Sequence, residues 1–404
     1  MITNVTELTN LASKCSCGNK HFQIAIDKIE ISHSAFEEAV IFLKEKSFQN
    51  VVIVTDKTID HALQGAFNDA INKTNLHVTT CFVEQDEQGD VVADEQALVQ
   101  VLLETPNETD VLLAVGSGTI HDITRFASYK MGKPFISIPT APSVDGFNSM
   151  GAPIVVKGMK KTYQMQAPIA LFAQIDVLAN APKKMIAAGF GDIIGKYTSL
   201  TDWTFSHLVG GEPYCPLSAK VTADTLSYCV EHVDSIAAAN EEGVKILIEA
   251  LVASGLAMLL IGHSAPASGG EHHISHCWEM EFLQKNRPAI LHGAKVGVTT
   301  QLIADLYKNV FSEYLLSEQK LEQLRTDKNN DYINRIIEHK QEILEAIENI
   351  PAPAKLKEML DQLEGDSTSE MLGVDDQLVQ ESIEKAHLIR DRYTILKFIN
   401  ENIR

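Results

Sequence analysis

The chain has 404 residues, 45% hydrophobic and 22% charged, a balance that excludes intrinsic disorder and suits a globular enzyme with more than one core. Its formal charge is −20, from 34 Lys plus Arg against 54 Asp plus Glu, so its field repels nucleic acid and anionic lipid and argues against binding either. Any anionic substrate must be drawn in by local groups, such as a metal ion or a helix N-terminus.

The opening MITNVTELTN carries neither a basic n-region nor an apolar h-region, so no secretory signal is expected there. Six scattered cysteines (Cys15, Cys17, Cys81, Cys215, Cys229, Cys277) lack the density of a disulfide framework, which points to a reducing cytoplasm. Cys15-Ser-Cys17-Gly18, with His21 nearby, looks like half a zinc knuckle. A knuckle, however, usually puts two residues between its cysteines and has a second pair elsewhere. A surface turn before the first strand is the reading adopted.

Short apolar, β-branched runs follow at 51–54, 78–83, 111–115 and 135–138, separated by helical patterns at about 34–46, 58–72, 94–104 and 119–131. Strands buried on both faces and alternating with helices predict a parallel sheet in an α/β unit. Runs at 152–156 and 169–175 predict an added hairpin or extra strands. After Pro182 the texture changes: segments 218–238, 243–261, 298–311, 331–348 and 379–399 carry helical periodicity, so the remainder is expected to be all-helical. The expected division is 1–180 and 181–404. The most apolar stretch, 250–261, is too short for the roughly 20 residues of a membrane span and predicts a buried core helix. Residues 317–350 predict a solvated helical face, and 365–369 a loop.

Two loops at strand ends carry polar and glycine residues. The run 110–115 leads into Gly116-Ser117-Gly118-Thr119-Ile120-His121-Asp122; glycines let a backbone approach a pyrophosphate, whose charge the following helix N-terminus meets. Alone, that pattern describes a tight strand-to-helix turn equally well, and Thr119 with Asp122 makes an N-terminal cap pair. Asp56, after the run 51–54, suits either a ribose hydroxyl or a helix cap. The loop Pro139-Thr140-Ala141-Pro142-Ser143-Val144-Asp145-Gly146-Phe147-Asn148-Ser149 starts on the same sheet edge and predicts a stiff binding loop.

Three fragments of the helical half suggest a metal site. In Gly189-Phe-Gly-Asp192-Ile-Ile-Gly-Lys196, Asp192 and Lys196 share a helix face. In Ser268-Gly-Gly-Glu-His272-His273-Ile-Ser-His276, His272 and His276 have the i, i+4 spacing of paired ligands. Leu291-His292-Gly293 adds a fourth histidine within 21 residues, out of 14 in the chain. Spacing leaves two ligand sets open: Asp192, His272 and His292, or His272, His276 and His292.

Taken in order, these motifs resemble the bacterial-type sn-glycerol-1-phosphate dehydrogenase family, within the superfamily of dehydroquinate synthase, glycerol dehydrogenase and iron-dependent alcohol dehydrogenase. The likeness covers roughly 15–310, and the Cys15-Ser-Cys17-Gly18 opening looks like bacterial members. It implies a Rossmann-like N-terminal α/β domain with a parallel sheet and a helical C-terminal domain. It also implies one divalent ion on Asp192, His272 and His292, which makes Asp192 catalytic as well, with Asp145 and His276 facing substrate. NAD(H) or NADP(H) would be bound by Asp56, the residues Gly116, Ser117, Gly118, Thr119, Ile120, His121 and Asp122, by Thr140, Ala141, Pro142 and Ser143, and by Ser149. The implied reaction is reversible reduction of dihydroxyacetone phosphate to sn-glycerol 1-phosphate, in a cytoplasmic homodimer serving glycerophospholipid or ether-lipid synthesis. Nickel is implied over zinc, because bacterial members are associated with nickel and archaeal ones with zinc. If Asp56 meets the adenosine ribose it disfavours a 2′-phosphate and tilts the choice toward NADH. Lys196, Arg287 and Lys295 are the candidate cations for the substrate phosphate. The alternatives are a glycerol dehydrogenase-like polyol dehydrogenase, a sugar-phosphate cyclase-type lyase and a non-catalytic nucleotide-binding protein.

Overall fold

The computed structural model describes residue 2, residues 4–328 and residues 331–404. Its strands are β1 (Lys28–Ser32), β2 (Asn50–Thr55), β3 (His77–Phe82), β4 (Val111–Gly116), β5 (Phe135–Pro139), β6 (Gly151–Val156), β7 (Met159–Gln164) and β8 (Ala170–Gln174). Six of them form one sheet in the order β1-β8-β5-β4-β2-β3, with every pairing parallel. Helices α1 (Val5–Ala12), α2 (Ala35–Glu45), α3 (Lys57–Leu63), α4 (Ala66–Asn72), α5 (Glu95–Glu104) and α6 (Gly118–Met131) accompany them. Alternate residues of β2 serve opposite faces: Val51 and Ile53 join the cluster with α2 and α4, Val52 and Val54 the cluster with α5 and α6. Burial on both faces is why the strand sequences are continuously apolar.

The runs at 152–156 and 169–175 separate into two structures. The first becomes β6, paired antiparallel with β7 in a hairpin outside the sheet; the second becomes β8, inside it. β1 and β7 have no apolar run to announce them, since Lys-Ile-Glu-Ile-Ser lies at the sheet edge and Met-Lys-Lys-Thr-Tyr-Gln is largely polar. The helix expected over 58–72 is two helices, because Gln64 (φ 49°) and Gly65 (φ 80°) adopt left-handed backbone and break the turn.

Among the described residues every element after β8 is helical: α7 (Ile175–Ala179), α8 (Lys183–Ile194), α9 (Lys196–Gly210), α10 (Pro216–Glu231), α11 (Val233–Ala237), α12 (Glu241–Ile261), α13 (Gly270–Gln284), α14 (His292–Asp305), and further helices to Asn402. Among the described residues α12 is the one helix long and apolar enough to cross a membrane, yet 89% of its apolar window is buried within the protein. It is the core helix of this half. The N-terminal arm joins the same core: Leu8, Ile24 and Ile26 pack with the helices, and Phe22 N donates to Leu260 O at 2.8 Å.

Helix α8 packs closely against α14. A Cβ added to Gly191 would lie 2.3 Å from Gly293 O, and one on Gly293 only 1.8 Å from Ala188 O. The two helices therefore touch backbone to backbone, an approach open only to glycine.

Candidate active site

Asp192 comes from the last turn of α8, His272 from the first turn of α13, and His292 opens α14. One ligand atom from each lies within 4.8 Å of the others. His272 Nε2 is 3.8 Å from Asp192 Oδ1, and the His272 and His292 rings are 5.2 Å apart. His276 is outside this group: its Nδ1 lies 3.3 Å from Glu279 Oε2, and its Nε2 accepts from Arg390 Nη2 at 3.0 Å. Of the two sets open to spacing, the fold thus brings together the one containing Asp192.

A carboxylate with two imidazoles is the donor set of a divalent transition ion, and the surrounding contacts fit ligation. His272 Nδ1–H donates to Glu271 Oε1 at 2.7 Å, which leaves Nε2 with its lone pair toward Asp192. Glu271 is wholly buried and accepts from Gly269 N and Thr198 Oγ1, each at 2.6 Å. Burial opposes its ionisation, but hydrogen bonds from His272, Thr198 and Gly269 more than offset this and hold its pKa below the ordinary value.

Behind the triad, Lys196 Nζ sits 2.8 Å from Asp145 Oδ2 and 3.2 Å from Asp192 Oδ1. Burial opposes the charge on Lys196, yet the two carboxylates prevail and raise its pKa. Asp145 N donates to Asp192 Oδ2 at 2.9 Å, and Ser254 Oγ to Asp145 Oδ2 at 2.8 Å. The 139–149 loop is therefore fastened to the carboxylate of the triad.

A cavity of about 1270 Å³ joins the carboxyl edge of the sheet to these helices. β2 and β4 are neighbours from which the chain runs toward opposite edges, to β3 and to β5. Such a switch point is where α/β sheets bind ligands. Asp56, Ser117, Gly118, Thr119, Asp122, Thr140, Ala141, Ser143 and Ser149 line the cavity there, and Asp145, His272, His276 and His292 line it toward the helices. Ser117 caps α6 with extended backbone and no side-chain hydrogen bond, so first-turn N–H groups are left for a ligand. Gly116 has φ 156°, and a Cβ there would meet Ile59 Cδ1 at 2.7 Å.

Four of the residues expected at the nucleotide are off the cavity wall: Gly116, Ile120, His121 and Pro142. Ile120 and His121 are wholly buried because they fall on the core face of α6, where His121 is bonded to Ser117 O and Ser137 Oγ, both at 2.8 Å. Asp56 meets both of its readings: Oδ1 caps α3 by accepting from Ile59 N at 2.9 Å, and the residue lines the cavity. Asp122 pairs with Arg125 at 2.7 Å rather than capping α6 with Thr119.

Four cations line the same cavity: Lys160, Arg287, Lys295 and Arg390. Lys160 and Lys295 share Glu279 Oε1 at 2.7 and 3.4 Å. Arg390 donates to Ser268 Oγ at 3.2 Å and to His276, and no carboxylate of the described residues forms an ion pair with it. Of the expected phosphate cations only Lys295 is placed for the task. Lys196 is held between two carboxylates, and Arg287 stacks 3.7 Å over Phe282 and donates to Gly373 O at 2.8 Å.

Residues 30–182 match the iron-containing alcohol dehydrogenase family. A glycerol-1-phosphate dehydrogenase [NAD(P)+] from Geobacillus stearothermophilus is 48% identical over 404 residues, covering 100% of this chain and 99% of the relative. The chain belongs to the glycerol-1-phosphate dehydrogenase family. A more distant member of that family, from Pyrococcus furiosus, is 30% identical over 91% of this chain and 92% of its own. Among solved structures, an alcohol dehydrogenase from Oenococcus oeni superposes with TM-score 0.65 at 14% identity, covering 93% of this chain and 98% of its own. At that identity the likeness speaks for the fold alone.

In this member of the glycerol-1-phosphate dehydrogenases Lys160, Glu271, Arg125 and Arg390 escape sequence reasoning. Glu271 stands inside a recognised motif, yet no spacing rule marks a histidine's immediate neighbour as its orienting group. Arg125 is wholly buried and donates to Gly146 O and Phe147 O at 2.6 and 3.2 Å and to Gly151 O at 2.9 Å. It fixes the 139–149 loop, whose stiffness the prolines alone had suggested. Arg390 lies beyond residue 310, where the motifs end.

Proposed function

We propose that this chain catalyses the reversible NAD(P)H-dependent reduction of dihydroxyacetone phosphate to sn-glycerol 1-phosphate, with one divalent ion on Asp192, His272 and His292. The observation that carries the reading is one cavity shared by the sheet switch point, the triad and the unpaired Arg390. When bound, such an ion supplies a Lewis acid toward the substrate carbonyl. Glu271 fixes the tautomer of His272, and Lys196 neutralises the charge that Asp145 and Asp192 accumulate. Ser117, Gly118 and the α6 N-terminus would take the pyrophosphate, with Thr140, Ser143 and Ser149 beside it. His276 is held neutral by burial, its pKa lowered to about 3, so it orients substrate hydroxyls together with Asp145 and stations Arg390. Arg390, Lys160 and Lys295 would hold the phosphate.

That cation group, with Lys295 buried and Lys160 and Arg390 half-buried, favours a phosphorylated triose over glycerol, and so this reading over a polyol dehydrogenase. Nickel is the ion we favour, since the bacterial relative at 48% identity is closer than the archaeal one at 30%. A cytoplasmic homodimer that supplies lipid synthesis, divided near residue 180 into a nucleotide-binding and a metal-binding domain, completes the proposal. α5 leaves Val99 and Leu103 exposed, an apolar strip that a second copy would cover. The test follows oxidation of reduced nicotinamide with dihydroxyacetone phosphate and with dihydroxyacetone, before and after chelation and metal restoration. Turnover of the phosphate ester alone, lost on chelation, is expected. No turnover with the ion restored overturns the proposal.

A further inference from the structure

The turn containing Cys15 and Cys17 does precede the first strand, but its thiols are half-buried and face inward. They meet a residue from far along the chain. Cys215, 1% exposed, caps α10, and its Sγ lies 4.0 Å from Cys15 Sγ and 3.3 Å from His21 Nε2. Cys17 Sγ is 3.4 Å from the same His21 nitrogen. All four ligand atoms lie within 4.8 Å of one another.

These spacings are those of a coordination tetrahedron. Metal–sulfur bonds of about 2.3 Å and metal–nitrogen bonds of about 2.0–2.1 Å give edges of about 3.8 Å between sulfurs and about 3.5 Å between sulfur and nitrogen. Hydrogen-bonded packing of thiols needs no such four-fold convergence. The surroundings also suit ligation. His21 Nδ1 lies 3.2 Å from Ala12 O, so Nδ1–H donates to that carbonyl and Nε2 keeps its lone pair for the centre of the group. Asn19 Nδ2 donates to Tyr214 O at 2.7 Å and holds the turn against the residue before Cys215. None of the four residues lines the catalytic cavity, and none belongs to the Asp192 group.

We propose that Cys15, Cys17, His21 and Cys215 form a second metal site, a closed tetrahedral Cys3His centre that takes zinc and staples the N-terminal arm to α10. Three thiolates and an imidazole leave no open position for substrate, so the site is structural, and soft sulfur donors select zinc over the hard divalent ions. The arm it secures runs on through Phe22, which packs against Gly262 at the end of α12. The inference is independent of the reaction proposed above.

The test uses the full chain purified under reducing conditions without added metal. Asp192→Asn combined with His272→Ala removes the catalytic donors, and this variant is expected to retain one zinc per chain. Loaded with cobalt(II), it should show a thiolate-to-cobalt charge-transfer band and the visible bands of a tetrahedral centre, signals an Asp-His-His site cannot give. Cys17→Ser in that background should lose both zinc and the band, and Cys17→His should recover the zinc. In the unmutated chain a chelator should make Cys15, Cys17 and Cys215 reactive together toward a thiol reagent, a readout that needs no variant to fold. The proposal is overturned if the double variant holds no zinc and gives no charge-transfer band, or if non-reducing mass spectrometry finds Cys15 disulfide-bonded to Cys215.

Discussion

Glu271 has no access to solvent, and its charge is answered by His272 Nδ1–H, Thr198 and Gly269 N. Glu271→Gln preserves the shape but gives His272 a weaker acceptor. We predict about 10–100-fold lower ion affinity, read from metal content against a chelator series; unchanged affinity would show that His272 needs no orienting group. Lys295 offers a different measurement. Burial lowers its pKa to about 8, with Glu279 only partly opposing. The side chain is therefore charged below that pH and neutral above it, so its attraction for phosphate is lost as pH rises through about 8. Competitive inhibition by inorganic phosphate should weaken up to about tenfold across that step, and Lys295→Met should abolish the step; a step that survives the substitution would exclude Lys295. At this scale the sequence displayed the imidazoles and carboxylates clearly, because motif spacing is local. The pairing of Lys196 with Asp192 is local and could be read from their spacing, but Arg390 on His276 and Asp145 on Lys196 depend on tertiary approach and could not.

The element contact that matters most is the meeting of α8 and α14. It sets how far Asp192 stands from His292, because the two backbones touch where Gly191 faces Gly293. We predict that Gly293→Ala destabilises the protein by on the order of 1–3 kcal/mol or more and also weakens ion binding. Thermal unfolding with and without the ion measures both effects; full stability with normal metal content would mean the helices have room to part. Central strands β2, β4 and β5 were legible because burial on both faces makes them continuously apolar. β1 at the sheet edge and β7 in the hairpin were not, since more than half of each is polar. The break at Gln64–Gly65 passed unseen because the helical periodicity resumes beyond it.

For the whole molecule, the division of labour between sheet and helices was visible in the change of texture near Pro182. That the N-terminal arm crosses to the helical side was not, since its anchoring partner, Cys215, lies two hundred residues away along the chain. Asp56, on the cavity wall at the switch point, bears on cofactor choice. Asp56→Asn keeps an oxygen for the α3 cap while removing the charge that would repel a 2′-phosphate. We predict that it narrows any preference for NADH over NADPH by roughly tenfold, measured as the ratio of kcat/KM values; an unchanged ratio would place the ribose elsewhere. The 139–149 loop has a wider consequence. Its residues 140, 141 and 143 line the sheet end of the cavity, where the nucleotide is proposed to bind, while Asp145 N donates to Asp192 Oδ2 at 2.9 Å. Occupancy of one end is thereby expected to bias the other, and thermodynamic linkage makes that bias mutual. Whatever factor the nucleotide adds to ion affinity, the ion must return to the nucleotide. Dissociation constants for each, measured with and without the other, should shift by one common factor; constants that the other ligand leaves unchanged would mean that the loop transmits nothing.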